Sequence, residues 1–297
     1  MTRLPTLRTL IGIAGLWLLS VWAWAGSPVW QLEGSAQPFY IAGTIHVLRA
    51  EDYPLPKALE QAYQASDVLV LEMDLSAATQ EYFRQQMARV GLYPVGENIR
   101  QALSPEVLLK VEQQLTKDHL TLVQVQQQHP WLLSLTLMHL ELQRQGVSPE
   151  YGIDMHYYQR AMADKKTVQA LETADAQLNV LTDMGNIAAD SLVTQFIDDI
   201  GELPKTLGVM TAAWRTGDYA VIDQELTARL RTEQPAFYQS ILVDRNQRWL
   251  GELEKHMQSG KPVLVLVGSA HLAGPDSLIN MLAERGHRFT EVDEVQP

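Results

Sequence analysis

The sequence predicts an α/β (α+β) fold, with a central sheet built from N- and C-terminal strands and a large helical insertion between them. Three observations carry this reading. Short apolar runs alternate with helical segments in 29–74 and again in 261–293. The stretch between them, 77–259, consists mainly of amphipathic segments at helical spacing. No run rich in Gly, Pro or Ser divides the two, so a single domain over 26–297 is expected.

The first 25 residues stand apart from that domain. Arg3 and Arg8 make a basic start, Leu10 to Trp22 is apolar, and Ala23-Trp24-Ala25 is a small-x-small cleavage pattern. The apolar run is shorter than the ~20 residues a membrane span needs. Residues 1–25 therefore read as a signal peptide cleaved after Ala25, which makes the protein periplasmic or secreted, with no stable membrane insertion after cleavage. Cysteine is absent, which removes disulfides, thiol nucleophiles and a lipidated N-terminal cysteine. The formal charge is −12, and −14 once Arg3 and Arg8 are gone. A chain this acidic is a poor partner for nucleic acid or anionic lipid.

Within the domain, 29–33 and 39–47 read as a hairpin turning at Gly34-Ser35-Ala36-Gln37. Segment 56–66 places Leu59, Ala62 and Tyr63 on one helical face and leads into the apolar strand 68–72. Ser104-Pro105-Glu106 has a capping serine and a first-turn proline, a helix start. Helices are expected at 131–145, 154–163, 187–199, 203–215 and 237–257, with one strand at 167–172. Residues 124–129 read as a solvated face or loop. The chain closes with a strand at 263–267, a helix at 277–285 and a strand at 289–292. The Val-, Ile- and Leu-rich strands suit a sheet buried on both faces.

The chemistry concentrates at strand ends. Gly43-Thr44-Ile45-His46 and Gly268-Ser269-Ala270-His271 are two copies of Gly-x-x-His, each just past an apolar strand. One copy alone reads as a turn glycine and a capping histidine. Two copies suggest one site assembled from both ends of the chain, in the crevice where open α/β sheets hold ligands. Counting with period two, each imidazole falls on the face opposite its glycine. The pair suits two metal ligands, a general base with its partner, or a haem clamp. Glu72 and Glu172 each follow an apolar run, where a carboxylate is costly unless paired or metal-bound. Two imidazoles with one or two carboxylates suit Zn, Mn, Co or Fe. Arg245, next to Asn246 in a predicted helix, reads either as an exposed helical arginine or as a group that holds a carboxylate or an oxyanion. Asp154 reads in part as a helix N-cap. The other six histidines lack such context. His-Glu-x-x-His, Gly-x-Ser-x-Gly, Gly-x-x-x-x-Gly-Lys and Gly-x-Gly-x-x-Gly are all absent.

Together these segments resemble the TraB/GumN family, which includes PrgY pheromone-shutdown proteins and animal Tiki proteins. The resemblance rests on Gly43-Thr44-Ile45-His46, Leu71-Glu72-Met73-Asp74, Gly152-Ile153-Asp154, Leu171-Glu172-Thr173 with Gln177, Trp214 with Gly217-Asp218, Arg245-Asn246, and Gly268-Ser269-Ala270-His271. It covers the chain from about residue 40 to the end. It implies a fold related to erythromycin esterase and the haem-binding ChaN proteins. It also implies a divalent metal (Mn or Co in Tiki proteins, with Zn suited by the donor types) held by His46, Glu72 and His271, with Glu172 and Arg245 in support. The expected function is an exported metal-dependent hydrolase acting on a peptide or extended protein segment. Glu172 or Asp154 would be the base, Arg245 the oxyanion stabiliser, and Gly43, Gly268 and Asn246 further motif members. Two alternatives remain. One is a non-catalytic protein that binds haem, through Tyr40 or Tyr151, or sequesters a peptide. The other is a metal-free esterase with a histidine base.

Overall fold

The computed structural model describes residues 27–292, so the expected signal peptide lies outside the described residues. Six strands form one mixed sheet: β1 (Val29–Leu32), β2 (Phe39–Thr44), β3 (Val68–Leu71), β4 (Thr167–Ala170), β5 (Val263–Gly268) and β6 (Phe289–Glu291). Their order is β4-β3-β5-β2-β1-β6. β1 pairs antiparallel with β2 and with β6. β2, β5, β3 and β4 run parallel, so all four end at the same edge of the sheet.

The period of two in the central strands sorts their side chains onto two cores. Leu69, Leu71, Leu264 and Leu266 face helices Lys57–Gln64 and Ile153–Ala163. Val68, Val70, Val263, Val265 and Val267 face Trp249, Leu253, Leu278 and Leu282 of helices Asp244–Met257 and Leu278–Glu284. Both faces are therefore covered, which is why β3 and β5 are apolar at consecutive positions. Each such side chain contributes roughly 1.5–3 kcal/mol by leaving water. A third core lies inside the insertion, where Val107, Val111, Leu133, Leu137, Val193 and Ile200 pack together.

Four expectations change. The sheet is not made by the termini alone, because β4 comes from the middle of the chain and pairs with β3 at the edge. The helices expected at 187–199 and 203–215 are one helix, Ala189–Arg215, which runs through Pro204. An interior proline costs about 3 kcal/mol. Burial of Ile200 and Leu203 on one side of it and of Trp214 on the other offsets that cost. Residues 124–129 are only partly a solvated loop: helix Leu122–Val125 buries Leu122 and Val125, and Gln128 bridges to Leu92. The helix expected at 237–257 opens as Pro235–Tyr238, widens into a π-type turn at Gln239–Val243 and continues as Asp244–Met257.

Candidate functional site

The four parallel strands deliver their chemistry to one carboxyl-end crevice. β2 leads to His46, β3 to Glu72, β4 to Glu172 and β5 to His271, with Thr44 of β2 level with Gly268 of β5. The Glu172 N–H donates to the Glu72 carbonyl at 2.9 Å, which extends the β3–β4 ladder to both carboxylates.

Arg245 reaches this edge from helix Asp244–Met257 and is 4 % exposed. Its Nε donates to Glu172 Oε1 and Oε2 at 3.1 and 3.2 Å, and Nη2 to Glu172 Oε1 at 2.7 Å and Glu72 Oε2 at 2.5 Å. Nη1 donates to the Ile241 carbonyl at 3.2 Å and to His271 Nε2 at 3.0 Å. A guanidinium has five N–H donors, and here every one is engaged. Trp249 closes the far side, its ring centre 4.6 Å from the guanidinium carbon. The oxyanion role expected for Arg245 is therefore not what this geometry provides. Glu172, with both oxygens on Arg245, is not placed as a free base.

His271 is assigned by the same logic. Arginine only donates, so Nε2 accepts and Nδ1 carries the proton, which it donates to Asn246 Oδ1 at 2.6 Å. Asn246 in turn donates to the Asp276 carbonyl at 2.8 Å. Burial is the main force on this ring and lowers its pKa to about 3, so it is neutral at ordinary pH. Burial by itself would raise the Glu72 carboxyl. The charges of His271, Arg245 and His46 and the Gly268 N–H, at 2.6 Å, reverse this and hold it at about 2. With His271 neutral, the standing countercharges at neutral pH are Arg245 and His46.

His46 is in a different setting. Its side chain is 61 % exposed, and its Nδ1 lies 2.8 Å from Asp154 Oδ2. Asp154 Oδ1 accepts from Thr44 Oγ1 at 3.0 Å, which fixes the carboxylate. The Asp154 charge pushes the imidazole pKa up to about 9, against a smaller opposing effect of desolvation. Asp154 is not the N-cap of its helix: Gly152 holds that place, and Asp154 sits in the first turn. The helix start docks on the His46 loop, with Ile153 N–H donating to the Ile45 carbonyl at 3.1 Å. A Cβ at Gly152 would lie 2.1 Å from the His46 carbonyl oxygen, so only glycine allows this approach.

Gly268 joins the two halves. A Cβ there would stand 3.1 Å from His46 Nε2 and 3.2 Å from Glu72 Oε1. The expectation that each histidine lies opposite its own glycine is not borne out, because both strands end before their histidines. His271 sits in the tight turn Ser269–Leu272, and each glycine makes room for other residues. Gly43 faces Tyr219 and Ser269, not His46.

His46, Glu72 and Asp154 line a cavity of about 230 Å³ together with Leu71, Met73, Leu75, Pro149, Met155 and Gln177. Pro149 and Met155 also border a wider cleft of about 790 Å³. Tyr40 and Tyr151, the expected haem ligands, are not among the residues lining the smaller cavity. Thr44, Trp249 and Met155 had no role in the sequence reading. Thr44 lies inside the first motif, whereas the other two carry no local signal.

The three donors expected for a metal do not close around one ion. Among the described residues, no group of three or more His, Asp or Glu is arranged to hold one. The reason is Arg245, whose Nη1 takes the His271 lone pair and whose Nη2 takes Glu72. As arranged, these residues fit a resident guanidinium and not a three-ligand metal.

Fold and site together define an α/β protein with an ionisable cluster at the carboxyl ends of its parallel strands. The chain belongs to the TraB/PrgY/gumN family, whose model matches residues 28–291. It is 26 % identical to the uncharacterized protein YbaP of Escherichia coli K12 over 247 residues, covering 82 % of this chain and 87 % of that protein. YbaP of Shigella flexneri matches at 26 % over 246 residues, with the same coverage. The zebrafish (Danio rerio) protein named metalloprotease TIKI1 is 24 % identical over 318 residues, covering 88 % of this chain and 62 % of that protein. No solved structure matches. Among the described residues, no helix is long and apolar enough to cross a membrane.

Proposed function

We propose that this chain is an exported hydrolase that opens a peptide bond in an extended segment lying across the His46 crevice. The observation that supports this reading is the His46–Asp154 pair. Asp154 holds Nδ1 of a ring that lines the cavity. This is the arrangement of a general base oriented by a carboxylate. In its neutral form, His46 Nε2 accepts a proton from the attacking water, and Asp154 stabilises the imidazolium that results. The same imidazolium then protonates the departing amine. Arg245 and the Gly268 N–H hold Glu72 ionised beside the crevice, and Asp154 acts as a positioning residue and not as the base. The wider cleft that meets the cavity at Pro149 and Met155 gives an extended chain room to continue.

A divalent metal follows from the family resemblance and from the name of the zebrafish relative. Such an ion would supply a polarised carbonyl and an acidified water, but Glu72 and His271, the donors expected for it, are engaged by Arg245. Since Arg245 fills the donor set, the proposed steps fall to the chain's own residues. Digestion of a peptide library, read by mass spectrometry, tests the reading with and without chelator and with Mn or Co restored. Cleavage that disappears in His46→Ala supports a hydrolase. Chelator sensitivity then separates the metal-dependent form from the metal-free one. A purified protein that cleaves nothing under any of these conditions contradicts it.

A further inference from the structure

A second cleft, of about 380 Å³, lies in the helical insertion and shares no lining residue with the His46 cavity. Its floor is apolar, formed by Met138, Leu192, Phe196, Leu203, Leu230 and Phe237. Its rim is acidic. Asp199, Glu202, Glu225 and Glu233 face a single cation, Arg229. Arg229 already pairs with Asp199 at 3.5 Å and Glu233 at 3.6 Å. Glu202 and Glu225 are exposed and make no ion pair among the described residues.

The backbone around this cleft is irregular. Two π-type turns occur among the described residues, Asp223–Thr227 and Gln239–Val243, and both border it. Such turns interrupt the regular helical ladder and recur at functional sites. The first contributes Glu225 and the exposed Leu226, the second Ile241. The Ile241 carbonyl is also the one that accepts from Arg245.

We propose that this cleft binds a linear peptide whose apolar side chains are flanked by lysine or arginine. The apolar floor takes the hydrophobic side chains, and the unpaired carboxylates of Glu202 and Glu225 meet the basic flanks. Charge selects this occupant over a second copy of the chain, which at a formal charge of −12 brings the wrong sign to an acidic rim. The inference is independent of the hydrolase reading, since it concerns binding and uses none of the residues of the His46 site.

Fluorescence anisotropy with a labelled 12-residue peptide of leucine and lysine tests it, using the counterpart with glutamate in place of lysine as comparison. The lysine peptide is expected to bind about tenfold or more tightly than the glutamate peptide at low salt, with the margin shrinking as salt rises. Glu202→Lys combined with Glu225→Lys abolishes that margin, whereas Glu51→Lys combined with Glu106→Lys, an equal change in net charge elsewhere, leaves it. His46→Ala leaves the binding unchanged even where hydrolysis is lost. Equal binding of the two peptides overturns the proposal. So does a preference that survives the rim swap, or one that the control swap removes equally, because the general field of the protein then explains it.

Discussion

Glu72 Oε2 lies 2.5 Å from Arg245 Nη2, although 173 residues separate them in the chain. Both groups are almost fully buried, so each offsets the cost of burying the other's charge. The first residue past β3 and the first turn of a helix from the far end of the insertion are thereby locked together. Glu172 and His271 attach to the same guanidinium, which makes Arg245 the tie between four segments of the chain.

Removing that tie should be costly. Arg245→Met leaves Glu72 and Glu172 buried without a cation, and a loss of about 3–5 kcal/mol is expected. Urea unfolding measures it. Adding Glu72→Gln and Glu172→Gln to Arg245→Met should recover part of the loss, since the uncompensated charges are then gone.

The His46 ring should titrate near pH 9 instead of near 6.5, with Asp154 as the cause. Asp154→Asn should bring it back toward the ordinary value, and Thr44→Val should do so more weakly, as followed by NMR of the ring protons. A raised histidine pKa adds stability that is fully present below about pH 6.5 and is lost as pH rises through 9. Solvent over the exposed ring screens the pair, so that contribution is small.

His271 gives the opposite sign. Its pKa is lowered to about 3, so between there and about 6.5 the unfolded chain takes up a proton that the fold refuses. Stability should fall with acid across that window, by at most ~1.4 kcal/mol per pH unit. Glu72, held at about 2, adds a further loss below about pH 4.5. Urea midpoints at pH 7 and pH 5 should differ less in His271→Gln than in the parent protein.

Gly268→Ala probes the meeting point of the two motifs. The new methyl would stand 3.1 Å from His46 Nε2 and 3.2 Å from Glu72 Oε1. The exposed His46 ring can yield, whereas the buried carboxylate cannot. The expected outcome is a folded protein with a displaced His46 and lost hydrolysis, seen as near-native circular dichroism beside an altered His46 titration. Gly152→Ala should instead destabilise the fold, because the obstacle there is the His46 backbone.

Much of this site was legible because chemistry follows apolar runs. Glu72, Glu172, His46 and His271 each come one to three residues after a strand end, and parallel pairing brings those ends to one edge. The partnership of Asp154 with His46 was not legible, since it depends on how a helix start docks on the 45–46 loop. Nor was the full engagement of Arg245, because a helical arginine has the same spacing whether exposed or buried. The joining of two expected helices across Pro204 was hidden for a related reason: local propensity stops a helix at proline, and only the burial of flanking side chains carries it through. The period-two placement of the histidines failed where the strands ended one turn early.

The most direct test of the proposed function is the rate of peptide cleavage by the purified protein and by His46→Ala, measured from pH 6 to pH 10. A neutral His46 acting as base predicts a rate that climbs about tenfold per unit below its pKa, levels near pH 9 and is absent in the variant. A rate that is flat across this range, or equal in the two proteins, contradicts the assignment of His46 as the base.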